Sequence, residues 1–127
     1  MLTYTHRQFG IIAGFAFLSW LGMMIHNAIE LPQLTILNPQ IGLPTLVYII
    51  LVLGWWRAAP KRVWAIALLS WALLHLLVGG IITVIPFSFL PFYPEQRLRH
   101  YLSHVIYSVA QLPLIIKTFQ SLRPAQR

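Results

Sequence analysis

VWAIALLSWALLHLLVGGIITVI, residues 63–85, contains no Asp, Glu, Lys or Arg. As an α-helix rising 1.5 Å per residue, this stretch would be about 34 Å long, enough to cross a hydrocarbon core of about 30 Å. Lys61 and Arg62 precede it and Pro86 follows it, so both ends are marked by residues that terminate membrane spans. The stretch predicts a transmembrane helix at roughly 62–85.

Three further apolar runs predict helices at about 9–30, 41–57 and 98–120, and Pro113 inside the last of them predicts a kink. The segment 86–97 is rich in proline and aromatic residues and is too apolar for a freely solvated loop, so we expect it in the headgroup layer. The expected fold is all-α integral membrane: one domain over residues 1–127, a four-transmembrane-helix bundle with short loops.

The composition supports a lipid-facing surface. Only 9% of the residues are charged, against about 25% in soluble domains. The net charge of +7 comes from short basic clusters between apolar runs, which is typical of topology signals and of contact with anionic lipid headgroups rather than of nucleic acid binding. The absence of cysteine excludes disulfides, thiolate metal sites, Fe–S clusters and c-type haem attachment.

Lysine and arginine counts predict the orientation. The turn at 57–62 carries three of these residues and the loop at 31–40 carries none, while Arg123 and Arg127 follow the last span. Arg97 and Arg99, in the segment 86–99, are the only basic residues that this count places on the opposite side. The positive-inside rule therefore predicts that both termini are cytoplasmic, in a multi-pass protein of the cell inner (plasma) membrane.

Polar residues collect near the predicted non-cytoplasmic ends of two helices. Gly22, His26 and Glu30 recur every four residues on the first span and form one stripe. A longer stripe on the fourth span contains His100, His104, Tyr107, Ser108 and Gln111. Histidines four residues apart on one helix face can reach the same ion, whereas a polar seam that joins helices by hydrogen bonds is the alternative interpretation.

His75 is predicted near the middle of the bilayer, where a polar side chain is most unfavourable and is a candidate functional group. A cofactor site would use His26, His75 and His104, with His26 and His104 as the preferred axial pair of a b-type haem, or with one histidine on a chlorophyll-type pigment. The alternative to haem is a metal site of Glu30, His26, His100 and His104.

Three functions remain open from the sequence. We place first an accessory or assembly subunit of a larger membrane complex, because the helices are apolar all round and almost no residues lie outside the membrane. The alternatives are a haem-, pigment- or metal-ligating redox protein and a small proton-coupled transporter that titrates Glu30 and His75. No nucleophile, base and acid form a recognisable set, so an enzyme is not the expectation. Gly10 and Gly14 form a G-x-x-x-G that predicts self-association.

Overall fold

The computed structural model describes residues 2–123, and the side chains of residues 6–123. All regular secondary structure in this part of the chain is helical. Helix α1 spans Leu2–Glu30, α2 Pro39–Arg57, α3 Lys61–Leu74 and α4 Leu98–Leu122. Helix α3 continues into a π-helical segment, His75–Ile81, and a 3-10 turn, Ile82–Val84.

The four predicted helices are confirmed, with two corrections. Helix α1 begins at Leu2 rather than near residue 9, because nothing in residues 2–8 stops a helix. The third span is not a regular α-helix to residue 85, because the π-helical segment interrupts it after Leu74. Pro44 and Pro113 both lie inside helices, as neighbouring helices in a membrane bundle permit.

Local contacts explain the ends of α2. Asn38 adopts an extended conformation and its side-chain oxygen accepts a hydrogen bond from the backbone N–H of Gln40 at 2.9 Å, while Pro39 occupies the first turn. At the other end, Lys61 Nζ donates to the carbonyl oxygens of Trp55 and Trp56. The same lysine begins α3, so the turn between α2 and α3 is closed by its side chain.

Helix α4 has its polar face inside and its apolar face outside. Its buried residues include Ser103, His104, Tyr107, Gln111 and Thr118. Aliphatic side chains on the opposite face are exposed, among them Leu102, Val105, Val109, Leu112 and Ile116. This arrangement is the reverse of a soluble helix and suits lipid. Four helices are long and apolar enough to cross a membrane, which indicates a membrane protein.

The interior divides into two halves along the bundle axis. The half nearer the turn between α2 and α3 contains an apolar cluster of Ile12, Ala16, Leu68, Ala72 and Leu114. The half nearer Glu30 and His100 contains most of the buried polar side chains. The apolar cluster therefore lies between the polar interior and the end of the bundle that carries Arg57, Lys61 and Arg62, which we call the basic end.

Candidate functional site

The end of α1 meets the start of α4 through a carboxylate and an imidazole. Glu30 Oε2 lies 3.0 Å from His100 Nδ1, and the two side chains are only 9% and 12% exposed. Ser103 Oγ donates to Glu30 Oε1 at 3.1 Å, so both carboxylate oxygens are held. His100 Nε2 is buried and makes no hydrogen bond within residues 2–123. Since a buried polar nitrogen ordinarily has a partner, this atom is a candidate ligand for an ion or a small molecule.

Glu95, in the loop before α4, completes a three-residue cluster. Each of Glu30, Glu95 and His100 offers one ligand atom, and these atoms all lie within 4.8 Å of one another. Glu95 also forms ion pairs with Arg97 at 3.0 Å and with Arg99 at 3.9 Å. Two carboxylates and an imidazole form a donor set for hard or borderline divalent cations, and the two arginines compete for one of the carboxylates.

Beneath this cluster, α1 and α4 bring two histidines together. His26 Nε2 lies 3.1 Å from His104 Nε2, and the two ring centroids are 4.4 Å apart. His26 Nδ1 lies 3.1 Å from Asn27 Oδ1, which fixes the ring orientation. His104 lies one turn below His100, with ring centroids 4.5 Å apart. The histidines therefore form a continuous group from the rim inward.

His75 lies deeper and is tied to Tyr107. Its Nδ1 is hydrogen-bonded to the Tyr107 hydroxyl, and its ring packs against Trp71 at a centroid distance of 4.6 Å. His75 begins the π-helical segment, where Gly79 leaves room for the Tyr107 ring. A Cβ at Gly79 would lie 2.5 Å from Tyr107 Cε1. The glycine is thus required for the tyrosine to reach the histidine.

A second polar network lies still deeper and ends the polar interior. Ser19 and Tyr48 share a hydrogen bond of 2.6 Å, and Tyr48 Oη donates to Gln111 Oε1 at 3.3 Å. Gln111 Nε2 donates to the Ser19 carbonyl oxygen at 3.2 Å. The apolar cluster lies immediately below. The polar interior therefore has one open end, near Glu30 and His100, and an apolar layer at its other end.

One pocket of about 740 Å³ lies above this second network and is lined by the rim cluster, the inner histidine pair and His75. Both acidic side chains of the sequence and four of its five histidines line it. The four histidines are His26, His75, His100 and His104, and Met23, Pro44, Val78, Phe92 and Tyr107 form part of the apolar and aromatic wall. We call this space the histidine pocket.

All sequence-predicted ligand residues thus line one pocket, although their roles as ligands stay predictions. Gly22, His26 and Glu30, which form one stripe in the sequence, all face α4: a Cβ at Gly22 would collide with Ala110, and both polar side chains contact α4. Gly10 and Gly14 face open space, since a Cβ added at either would meet no atom of the described residues within 4 Å. Self-association through them stays a prediction.

Sequence reasoning missed Glu95 and Ser103. Glu95 lies in a loop without periodicity, so no spacing rule could connect it to Glu30 or His100. Ser103 lies next to His104 and three residues after His100, a helical spacing that could have placed it beside Glu30. In comparisons with known proteins, no protein family, curated protein or solved structure matches this chain.

Proposed function

We propose that this chain is a small plasma-membrane protein that binds a divalent first-row transition-metal ion in the histidine pocket. Glu30, Glu95 and His100 are the proposed ligands at the rim, and His26 and His104 lie directly beneath them. The observation that carries the proposal is the convergence of both acidic side chains and four of five histidines on one pocket in a chain that is otherwise apolar. Polar groups in a membrane segment are unfavourable and mark functional sites.

The rim geometry supports one ion with little rearrangement. Three donors bound to one ion at about 2.1 Å stand about 3.4–3.6 Å apart in tetrahedral or trigonal geometry. The ligand atoms of Glu30, Glu95 and His100 lie within 4.8 Å of one another, so side-chain shifts of up to about 1 Å suffice. The hydrogen bond from Ser103 to Glu30 supports the carboxylate, as outer partners of metal ligands ordinarily do.

The inner histidine pair favours the metal alternative over haem. Two imidazole nitrogens on neighbouring positions of one ion stand about 2.9–3.4 Å apart. The axial nitrogens of a haem stand about 4 Å apart on opposite faces of the macrocycle. The 3.1 Å separation between His26 Nε2 and His104 Nε2 is a hydrogen-bond distance, and it is also compatible with the first arrangement. Nitrogen and carboxylate donors without thiolates suit Zn²⁺, Fe²⁺, Mn²⁺, Co²⁺ or Ni²⁺.

The proposed orientation determines the side of the membrane from which an ion would enter the histidine pocket. The basic clusters favour cytoplasmic termini, which would open the histidine pocket toward the non-cytoplasmic side. The apolar cluster below Gln111 separates the pocket from the basic end. This favours retention of an ion taken from one face over conduction across the membrane. Reporter fusions at residue 35 and at the C-terminus should report opposite sides, and a same-side result would reject this orientation.

Cobalt binding provides the direct test. The full chain is purified in mild detergent, stripped with a chelator and titrated with Co²⁺, followed by visible absorption, and with Zn²⁺, followed by calorimetry. We expect a saturable d–d spectrum and weakening by at least tenfold in Glu30→Gln, Glu95→Gln and His100→Gln, since each removes a ligand. The matched control is His6→Gln, which alters an exposed histidine outside the pocket.

Two outcomes would reject the proposal. One is the absence of saturable binding of either ion by folded wild-type protein. The other is equal weakening by His6→Gln, which would indicate non-specific surface binding. The accessory-subunit hypothesis would then explain the polar contacts as hydrogen bonds that join helices, and copurification with other membrane proteins in mild detergent would test it.

A further inference from the structure

A second polar pocket lies at the opposite end of the bundle. It has a volume of about 370 Å³ and lies between the start of α3 and the end of α4. Its lining combines cationic and apolar side chains and consists of Trp55, Lys61, Arg62, Ala65, Ser121, Leu122 and Arg123. We call it the basic pocket.

The cations of the basic pocket have no carboxylate side chain to pair with. The sequence contains two acidic residues, Glu30 and Glu95, and both line the histidine pocket at the other end of the bundle. Lys61 is engaged with the carbonyl oxygens of Trp55 and Trp56. Arg62 and Arg123 are exposed, and Arg123 lies over the Phe119 ring, so both guanidinium groups are accessible to an external anion.

We infer that the basic pocket binds the phosphate of an anionic phospholipid headgroup, with Arg62 and Arg123 as its main cationic contacts. The arginine guanidinium presents paired N–H donors that match a phosphate group. Ser121 also lines the pocket but donates its hydroxyl to the Thr118 carbonyl oxygen, so the phosphate contacts come from the arginines. Trp55 and Leu122 offer apolar surface to the glycerol and the first methylenes of the lipid.

The location selects a lipid phosphate over a soluble one. The pocket lies at the first turn of the span Lys61–Val84 and the last turn of the span Leu98–Leu122, which is the depth of the headgroups. Val63 and Phe119, beside it along the chain, are 55% and 50% exposed, as acyl-chain contacts would be. Basic pockets between membrane helices are a recognised site for anionic headgroups.

The test compares lipid retention by matched variants. Wild-type protein, Arg62→Gln, Arg123→Gln and the double variant are purified in mild detergent and titrated with phosphatidylglycerol or phosphatidylcholine, with bound lipid counted by native mass spectrometry. We expect wild-type protein to retain phosphatidylglycerol selectively. Each substitution should weaken retention about fivefold, and the double variant about twentyfold, since one basic residue near anionic lipid contributes about that factor.

Arg57→Gln is the matched control, because Arg57 carries the same charge at the same end and, like Arg123, packs over an aromatic ring, but it does not line the pocket. Equal loss in Arg57→Gln would overturn the inference in favour of general charge attraction. Competition by inorganic phosphate at equal concentration would assign the pocket to a soluble anion and also overturn it. Arg62→Lys keeps the charge but loses the paired N–H donors, so it should retain more lipid than Arg62→Gln and less than wild-type protein. Thermal melts in the same detergent identify any variant that fails to fold.

Discussion

At the end of the bundle that holds the histidine pocket, both acidic side chains contact histidines or arginines. At the end that holds the basic pocket, the cations contact carbonyl oxygens and aromatic rings. Glu30 pairs with His100 and Glu95 with Arg97, while Arg57 packs over Trp56 and Arg123 over Phe119. Both acidic side chains of the sequence therefore lie at the histidine-pocket end, and each contacts a histidine or an arginine there. This difference in charge is the basis for proposing a cation site at one end and an anion site at the other.

The largest expected effect comes from removing the inner histidines. The double variant His26→Leu/His104→Leu should bind Co²⁺ at least a hundredfold more weakly, because two candidate ligands are lost. The melting temperature in detergent should change little, since a hydrogen bond in a membrane bundle averages only about 0.6 kcal/mol. Unchanged Co²⁺ affinity would confine the metal to the rim, and a large fall in melting temperature would make the pair structural.

Acidification should separate the two ends. Protons compete with metal ions for imidazole and carboxylate donors, so lowering the pH from about 7.5 to about 4.5 should weaken Zn²⁺ binding. Arginine stays charged over this range, so retention of phosphatidylglycerol at the basic pocket should not change. Calorimetry and native mass spectrometry on the same samples measure both effects. Parallel loss of metal and lipid would contradict the assignment of different chemistry to the two ends.

An added methyl group should damage the pocket wall but not the opposite surface. Gly79→Ala places a Cβ against the Tyr107 ring and should destabilise the protein by about 1–3 kcal/mol through overpacking. Gly14→Ala meets no atom of the described chain and should leave the monomer as stable or more stable. Thermal melts in detergent compare the two. Size-exclusion chromatography of Gly14→Ala also tests the predicted self-association, which a loss of dimer would support.

The smallest expected effect is a modest increase in Co²⁺ affinity. Arg97→Gln frees Glu95 from its shorter ion pair and removes a nearby positive charge. The Arg97 side chain is 79% exposed, so solvent screens the interaction and the Co²⁺ affinity should rise only two- to fivefold, by about 0.5–1 kcal/mol. Arg57→Gln, at the other end, should leave the affinity unchanged. Weaker binding in Arg97→Gln would indicate that the arginine supports Glu95 in the binding geometry.

The spans and the helix stripes were accessible from the sequence because lipid imposes simple rules. Run length predicts the spans, and the four-residue spacing of Gly22, His26 and Glu30 predicts their common face. Glu95 was inaccessible, because its position depends on how the irregular loop 86–97 folds back over α1. The contact of Ser19 with Gln111 was equally inaccessible, since it joins residues 92 positions apart that no local pattern relates.

The π-helical segment changes which residues of the third span face the histidine pocket. In an α-helix the residue above His75 would be Gly79, but with the wider turn Gly80 lies there instead, and a Cβ added to it would be 3.6 Å from the His75 carbonyl oxygen. The residues after His75 are consequently rotated out of the phase of a continuous α-helix. Deleting one residue between His75 and Gly79 would change that phase and shift Thr83, which lines the histidine pocket. The residues of this span that line the histidine pocket therefore depend on the number of residues in the π-helical segment as well as on their identity.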